Sequence, residues 1–327
     1  MTSLLYIDPF GPALSPLILL LLACLGGLYA RGLLRPRRLR PHSAPWQDAL
    51  FVVGLLAIAA ANSAPLAPRG AEMFSVHQLS HLLTRVLGPL LIAAAQPWGI
   101  LSAAMPRLWR RRLRHGANAR IARGLWHPAA ATALFIATLY LWQVPTLYAL
   151  ARDIPALGLA AHVTMTMAGL WFFAMILDPR DPPEGARRGA RLLCGVVVIV
   201  SNILLGSLTT LKEVVLYGPP GTRGNLSAMA DETIGGYTIW VPSSMAMIAA
   251  IILVLNGWNR AEERRWNARH AQLRQSNSAA LEFPETAEEL RLKVAKSNRD
   301  IGRTLAFAVV AMFATVMITT ITVLAVR

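Results

Sequence analysis

The chain has 327 residues, 55% of them hydrophobic, with a formal net charge of +15. So apolar a composition excludes an ordinary soluble enzyme and points to a polytopic membrane protein, in which the positions of the arginines decide what the charge means. Two cysteines, Cys24 and Cys194, both inside apolar runs, leave no disulfide framework and no thiolate metal site.

In chain order, apolar runs long enough to cross a ~30 Å hydrocarbon core extend from Leu14 to Leu34, Ala49 to Leu66, Phe74 to Trp98, His127 to Leu150, Leu157 to Leu177, Leu192 to Leu216, Tyr237 to Leu255 and Leu305 to Val326. The first charge is Asp8 and no Lys or Arg precedes Arg31, so the first run is expected to stay as a span, not to leave as a signal. The loops alternate in basic content. The first carries Arg31, Arg35, Arg37, Arg38 and Arg40, the third runs from Arg107 to Arg123, the fifth from Arg180 to Arg191, and the seventh from Arg260 to Arg303. Most of the 32 Lys and Arg residues fall in these four loops, which the positive-inside rule assigns to the cytoplasm. The expected fold is therefore an all-α transmembrane bundle of about eight spans with both termini external, and the charge needs no nucleic acid to explain it. Its parts are a seven-span bundle over 1–256, a basic and partly helical cytoplasmic loop over 257–304, and a last span over 305–327. Within that loop, Arg260 to Gln275 and Glu285 to Lys296 read as two helices, either a solvated connector or a surface that meets anionic lipid headgroups.

Polar residues inside apolar spans are functional by default. His77 and His81 are four apart, hence on one helical face, roughly 6 Å apart along the axis. Arg85 continues that face one turn deeper and needs a carboxylate, a backbone carbonyl or water beside it. Entering from outside, the third span puts His77 and His81 near the external surface, and His162 in the fifth span shares their level. Asn62 and Gln143 end the second and fourth spans on that side. Glu213, Asp231 and Glu232 lie in or beside the external loop, and one of these three is expected to pair with Arg85. Three imidazoles with one or two carboxylates suit copper, zinc or iron. Met165, one turn from His162, adds a soft thioether, although packing is the commoner use of a buried methionine. His127 opens the fourth span on the cytoplasmic side and lies outside this cluster; His42, His115 and His270 fall in Arg-rich loops. No internal repeat, phosphate loop, Ser-His-Asp set or nucleotide fingerprint is present, so no enzyme is expected.

Several motifs in order give a family resemblance. They are His77-x-x-x-His81 with Pro89-Leu-Leu and Gln96-Pro97; His127-Pro128 leading to Leu141-Trp142-Gln143-Val-Pro145-Thr-Leu-Tyr148; and His162 in a span ending at Asp178-Pro179. Leu204-Leu205-Gly206 and Asp231-Glu-Thr-Ile-Gly235-Gly236-Tyr-Thr-Ile-Trp240-Val-Pro242 follow. From Ala49 to Asn256 the chain resembles the polytopic CtaG-type cytochrome c oxidase assembly factors. The resemblance implies a multi-pass protein of the bacterial inner membrane that handles copper for the oxidase subunit carrying the haem-copper centre, with a periplasmic copper chaperone as candidate donor. In it, His77, His81 and His162 would bind copper, with Asp231 or Glu232 completing or orienting the site. Three positions depart from the pattern: Gln143 stands where the family has His, Ala161 where Glu commonly precedes the fifth-span His, and Glu232 where Gln follows the loop acid.

Two other functions compete. His81 and His162 on facing helices could be axial ligands of haem b in a membrane electron carrier, and the polar cluster could be the substrate site of a metal transporter, for which Pro89 and Pro242 supply kinks.

Overall fold

The computed structural model describes residues 16–35, 43–63, 66–106, 127–180, 185–218, 221–223 and 226–269, with scattered residues between 286 and 314. Much of the basic loops, including His42, His115, His270 and Ser276, and most of the expected last span lie outside the described residues. Helices dominate: α1 (Pro16–Leu33), α2 (Pro45–Ala61), α3 (Leu66–Glu72), α4 (Phe74–His81), a π-helical segment (Leu82–Leu87), α5 (Gly88–Ala94), α6 (Trp98–Ala104), α7 (Pro128–Gln143), α8 (Pro145–Asp153), α9 (Pro155–Ile176), α10 (Arg188–Leu211) and α11 (Ala228–Arg269). One small antiparallel ribbon, β1 (Thr222–Arg223) with β2 (Leu226–Ser227), precedes α11.

Proline sets many of the starts. Pro45, Pro128, Pro145 and Pro155 open α2, α7, α8 and α9, each after a residue in extended conformation. An N-terminal proline lacks only an N–H that the first turn leaves unbonded anyway. The same chemistry breaks two of the expected spans. Between α7 and α8 the chain bends by 76° at Val144–Pro145. Between α5 and α6 it bends by 79°, where Gln96 takes the left-handed φ of 53° ahead of Pro97. The Gln96 amide then donates to the carbonyls of Ala93 and Leu177, tying this corner to the end of α9.

Among the described residues three helices are long and apolar enough to cross a bilayer, and up to six spans result if each bent pair counts as one. The outward face of α10 is apolar, with Leu193 64%, Leu204 56% and Leu208 69% exposed, as a lipid-facing surface requires. The largest core joins Leu82, Val86, Phe135, Phe172, Phe173 and Met247. Helices α2 and α5 cross where Gly54 and Gly88 face each other, each lacking a Cβ that would strike the other's carbonyl at 2.9 and 3.1 Å. The chain forms two compact units, Met1–Trp258 and Asn259–Arg327. Within the second, Asn259 accepts from Arg291 at 3.4 Å.

Candidate metal centre

The π-helical segment follows directly on the histidine pair. Pro89 carries no N–H, so the helix beneath His81 cannot keep a regular ladder, and the Gly88 N–H reaches back five residues to Leu83. The carbonyl of Arg85 turns instead toward α9, where Gly169 lets it in: a Cβ there would lie 2.2 Å from that oxygen. This contact draws α9, and with it His162, against α4.

The three expected imidazoles meet. Ring centroids are 4.2 Å apart for His77 and His81, 5.6 Å for His81 and His162, and 6.4 Å for His77 and His162. An ion held about 2.0–2.1 Å from three ring nitrogens in trigonal or tetrahedral geometry sets centroids about 5–5.5 Å apart, so the rings straddle the separation and need shifts of about 1 Å to share one. As they stand, no three His, Cys, Asp or Glu side chains among the described residues surround one point closely enough to hold an ion. His81 is 3% exposed and neither of its ring nitrogens finds a hydrogen-bond partner among the described residues. His162 is oriented: the Asn62 amide N–H₂ donates to Ile58 O at 2.7 Å, which turns its oxygen to His162 Nδ1 at 2.5 Å. Nδ1 therefore carries the proton, leaving Nε2 with the lone pair that a metal takes. A cleft of ≈ 230 Å³, lined by Asn62, Gly70, His77, Ser80, Arg152 and His162 among others, leads to the rings.

Asp231 and Glu232, expected to complete or orient the site, make these hydrogen bonds with backbone and side chains of other elements. Asp231 is fully buried but caps α4, accepting from the backbone N–H groups of Phe74 (2.7 Å) and Ser75 (3.0 Å) and from the Ser75 hydroxyl (2.5 Å). Glu232, also fully buried, accepts from Leu216 N and Tyr217 N, both at 2.9 Å, and pairs with Lys212. Lys212 is thus matched with Glu232 and not with its neighbour Glu213, which is exposed.

Arg85 departs from the expected ion pair. Although 2% exposed, it has no carboxylate partner among the described residues. Its Nε and Nη2 donate to Phe135 O at 3.4 and 3.3 Å, and its guanidinium carbon lies 3.9 Å above the Phe135 ring. A carbonyl and a π-face meet the cation with dipoles in place of a counter-charge.

Gln143 accepts from Gln78 at 3.1 Å, next to His77 in sequence. Met165 is fully buried against Trp142 and Ala161, a packing role. His127 is exposed at the start of α7, as expected. The aromatic wall was not anticipated. Tyr148 meets the His77 ring edge-on at 5.0 Å, and Phe74 stacks on Tyr217 at 4.2 Å. Tyr217 donates to Gln143 O at 3.0 Å, and burial pushes its phenol up from the usual range. Tyr148 stands in the quoted motif, and its spacing from Trp142 on two differently directed helices hid its role. Asn202 on α10 and Trp240 and Ser244 on α11 also keep buried side-chain polar atoms that find no hydrogen-bond partner among the described residues.

Residues 27–261 match the family model for the cytochrome c oxidase caa3 assembly factor. An uncharacterized protein of Mycobacterium leprae is 25% identical over 254 residues, covering 73% of this chain and 38% of the relative. Uncharacterized proteins of Mycobacterium bovis and Mycobacterium tuberculosis are each 24% identical over 251 residues, covering 72% of this chain and 37% of theirs. The chain thus spans well under half the length of the curated relatives it matches. No solved structure matches it. The family match spans the whole of α4 and α9, the helices that carry the histidine cluster, and the chain belongs to the cytochrome c oxidase caa3 assembly factor family.

Proposed function

We propose that this protein assists maturation of a haem-copper cytochrome c oxidase by binding copper transiently at His77, His81 and His162. It does so from the outer face of a bacterial plasma membrane, for the subunit that carries the haem-copper centre, with a periplasmic copper chaperone as a natural donor. The observation that carries this reading is the unpartnered His81 imidazole, buried beside two further imidazoles at near-ligand separations. Buried polar atoms normally find partners, and a polar group left unbonded inside a membrane bundle is costly. The distribution of arginines supports an eight-span topology with the cleft on the external side. The protein acts as a binding and transfer protein, with no covalent step of its own.

A single ion suits the geometry better than haem. His77 lies within 4.2 Å of the His81 ring, in the space a porphyrin between His81 and His162 would need, and a cleft of ≈ 230 Å³ falls short of the range of about 300–1,000 Å³ typical of larger organic ligands. The test is copper content of the full chain purified in detergent, with and without the paired substitutions His77→Ala and His81→Ala, alongside oxidase maturation in cells carrying His162→Ala or His127→Ala. Loss of copper in the double variant, and loss of maturation for His162→Ala alone, are expected. Copper retained by the double variant, or equal loss of maturation for both single variants, refutes the site.

A further inference from the structure

We propose that Asn202, Trp240 and Ser244 hold a water molecule between α10 and α11, near the middle of the membrane and at the proline break of α11. Three glycines give the register of the two helices. A Cβ on Gly206 would lie 2.7 Å from Cγ of Trp240, one on Gly195 would lie 2.9 Å from Cγ1 of Ile251, and one on Gly236 would lie 3.0 Å from the Thr210 nitrogen. The helices therefore run antiparallel, each turn back along α10 meeting the next turn along α11. This register sets Ser244 opposite Asn202 and lays the Trp240 indole one turn away, over Gly206. Asn202 falls about halfway along the apolar part of α10, Leu192 to Leu211, and so about 15 Å from either end of it at 1.5 Å per residue.

Both amide atoms of Asn202, Nε1 of Trp240 and Oγ of Ser244 are buried and meet no hydrogen-bond partner among the described residues. Asn202 is 0% exposed and Ser244 8%. A local solution exists on these helices: Thr209 and Thr210 on α10, and Thr233 and Thr238 on α11, each return the hydroxyl to the carbonyl four residues back at 2.8 or 2.9 Å. The Asn62 amide does the same on α2. Asn202 and Ser244 do not, and their polar ends are left to the seam, where an unbonded group in hydrocarbon is costly. The spacing suits a shared water. The indole atom nearest Gly206 is Cδ1, the carbon bonded to Nε1, so the N–H lies about one helical turn, ~5.4 Å, from the level of Asn202. Two hydrogen bonds of about 2.8 Å through one oxygen span that distance, and a direct bond does not. The indole donates, the amide both donates and accepts, and the hydroxyl does either, which gives a water the three partners usual for a buried one. Pro242, between Trp240 and Ser244, removes an N–H from the ladder of α11 at the same place, a break that ordered water commonly heals in membrane helices. The arm of α11 that carries Asp231 and Glu232 thus joins α10 through an exchangeable contact at its proline.

Radiolytic footprinting of the full chain in detergent tests the site. A short X-ray pulse makes hydroxyl radicals from bound water, these oxidise the side chains that touch it, and mass spectrometry reads the positions. Trp240 should be oxidised at least ~5-fold faster than Met175, a readily oxidised side chain that is 1% exposed in the apolar core, because a buried water makes its radical in contact with the indole. Asn202→Leu, which replaces the amide by an apolar group of similar size, and Ser244→Ala should each bring Trp240 down to the rate of Met175. Trp258, 39% exposed farther along α11, should keep its rate in both. Wild-type Trp240 labelled no faster than Met175 would mean that protein groups meet these side chains, and overturns the site. Fast labelling that persists in either folded variant would mean that solvent reaches the indole by another route, and overturns it equally. Should Asn202→Leu not fold, the wild-type rates and Ser244→Ala decide.

Discussion

Replacing Gly169 by alanine tests the contact that holds α9 against the histidine helix. The added Cβ would lie 2.2 Å from the Arg85 carbonyl oxygen, 3.0 Å from its carbon and 2.9 Å from Pro89 Cγ. Two of these three atoms are backbone and the third belongs to a rigid ring, so no side chain can swing aside, and α9 must retreat by about 1 Å to restore ordinary contact. Overpacking of this kind costs about 1–3 kcal/mol. His162 rides on α9 two turns away, and its ring, already 6.4 Å from that of His77, would move out of reach of a shared ion. We expect a lowered melting temperature in detergent and copper(I) affinity weakened by at least ~10-fold, read by anaerobic competition with a chromogenic chelator. Gly27→Ala is the control, since nothing lies within 4 Å of its Cβ. A Gly169→Ala protein with wild-type melting and wild-type affinity would show that the Arg85–Gly169 approach does not position His162.

Asn62→Leu removes the acceptor that fixes the His162 tautomer, and should weaken copper(I) binding by about 10–100-fold with little loss of fold, measured by the same competition; unchanged affinity would refute the orienting role. Asp231→Asn replaces one of the two accepting oxygens that cap α4 by an N–H₂ that cannot accept, and should destabilise the protein by about 1–3 kcal/mol in thermal unfolding while the folded fraction binds copper normally. A stable Asp231→Asn protein that no longer binds copper would return Asp231 to the ligand set. Cysteines introduced at Gly221 and Ser276 should label from opposite sides of the membrane, external and cytoplasmic; labelling from one side would exclude the eight-span topology.

The sequence showed the histidine cluster because two of its members are four apart on one helix and the third could be matched to them by depth. Depth is one coordinate, however, and the direction a side chain takes around its helix is another. Asp231 and Glu232 are at the right level and turn to other partners, because being consecutive they point about 100° apart on a helix. Arg85 needed a partner, and the backbone carbonyl named among the possibilities proved to be the one; a carbonyl leaves no mark in a sequence that would identify it as Phe135. The bends at Gln96–Pro97 and Val144–Pro145 were legible locally, since proline cannot continue a helix ladder, but an average over 20 apolar residues blurs them into single spans. The continuity of α11 from Ala228 to Arg269 was hidden for the opposite reason: its composition changes from apolar to basic while its backbone does not.

Asp231 and Glu232 also join two distant stretches of chain to one turn of α11. The amides of Phe74 and Ser75 end on one carboxylate and those of Leu216 and Tyr217 on its neighbour. These four protons should therefore exchange with solvent as one cooperative unit, with a common opening free energy set by the first turn of α11 and not by the segments that bear them. The entrance of the histidine helix and the external loop share a single hinge pin, and whatever loosens one loosens the other.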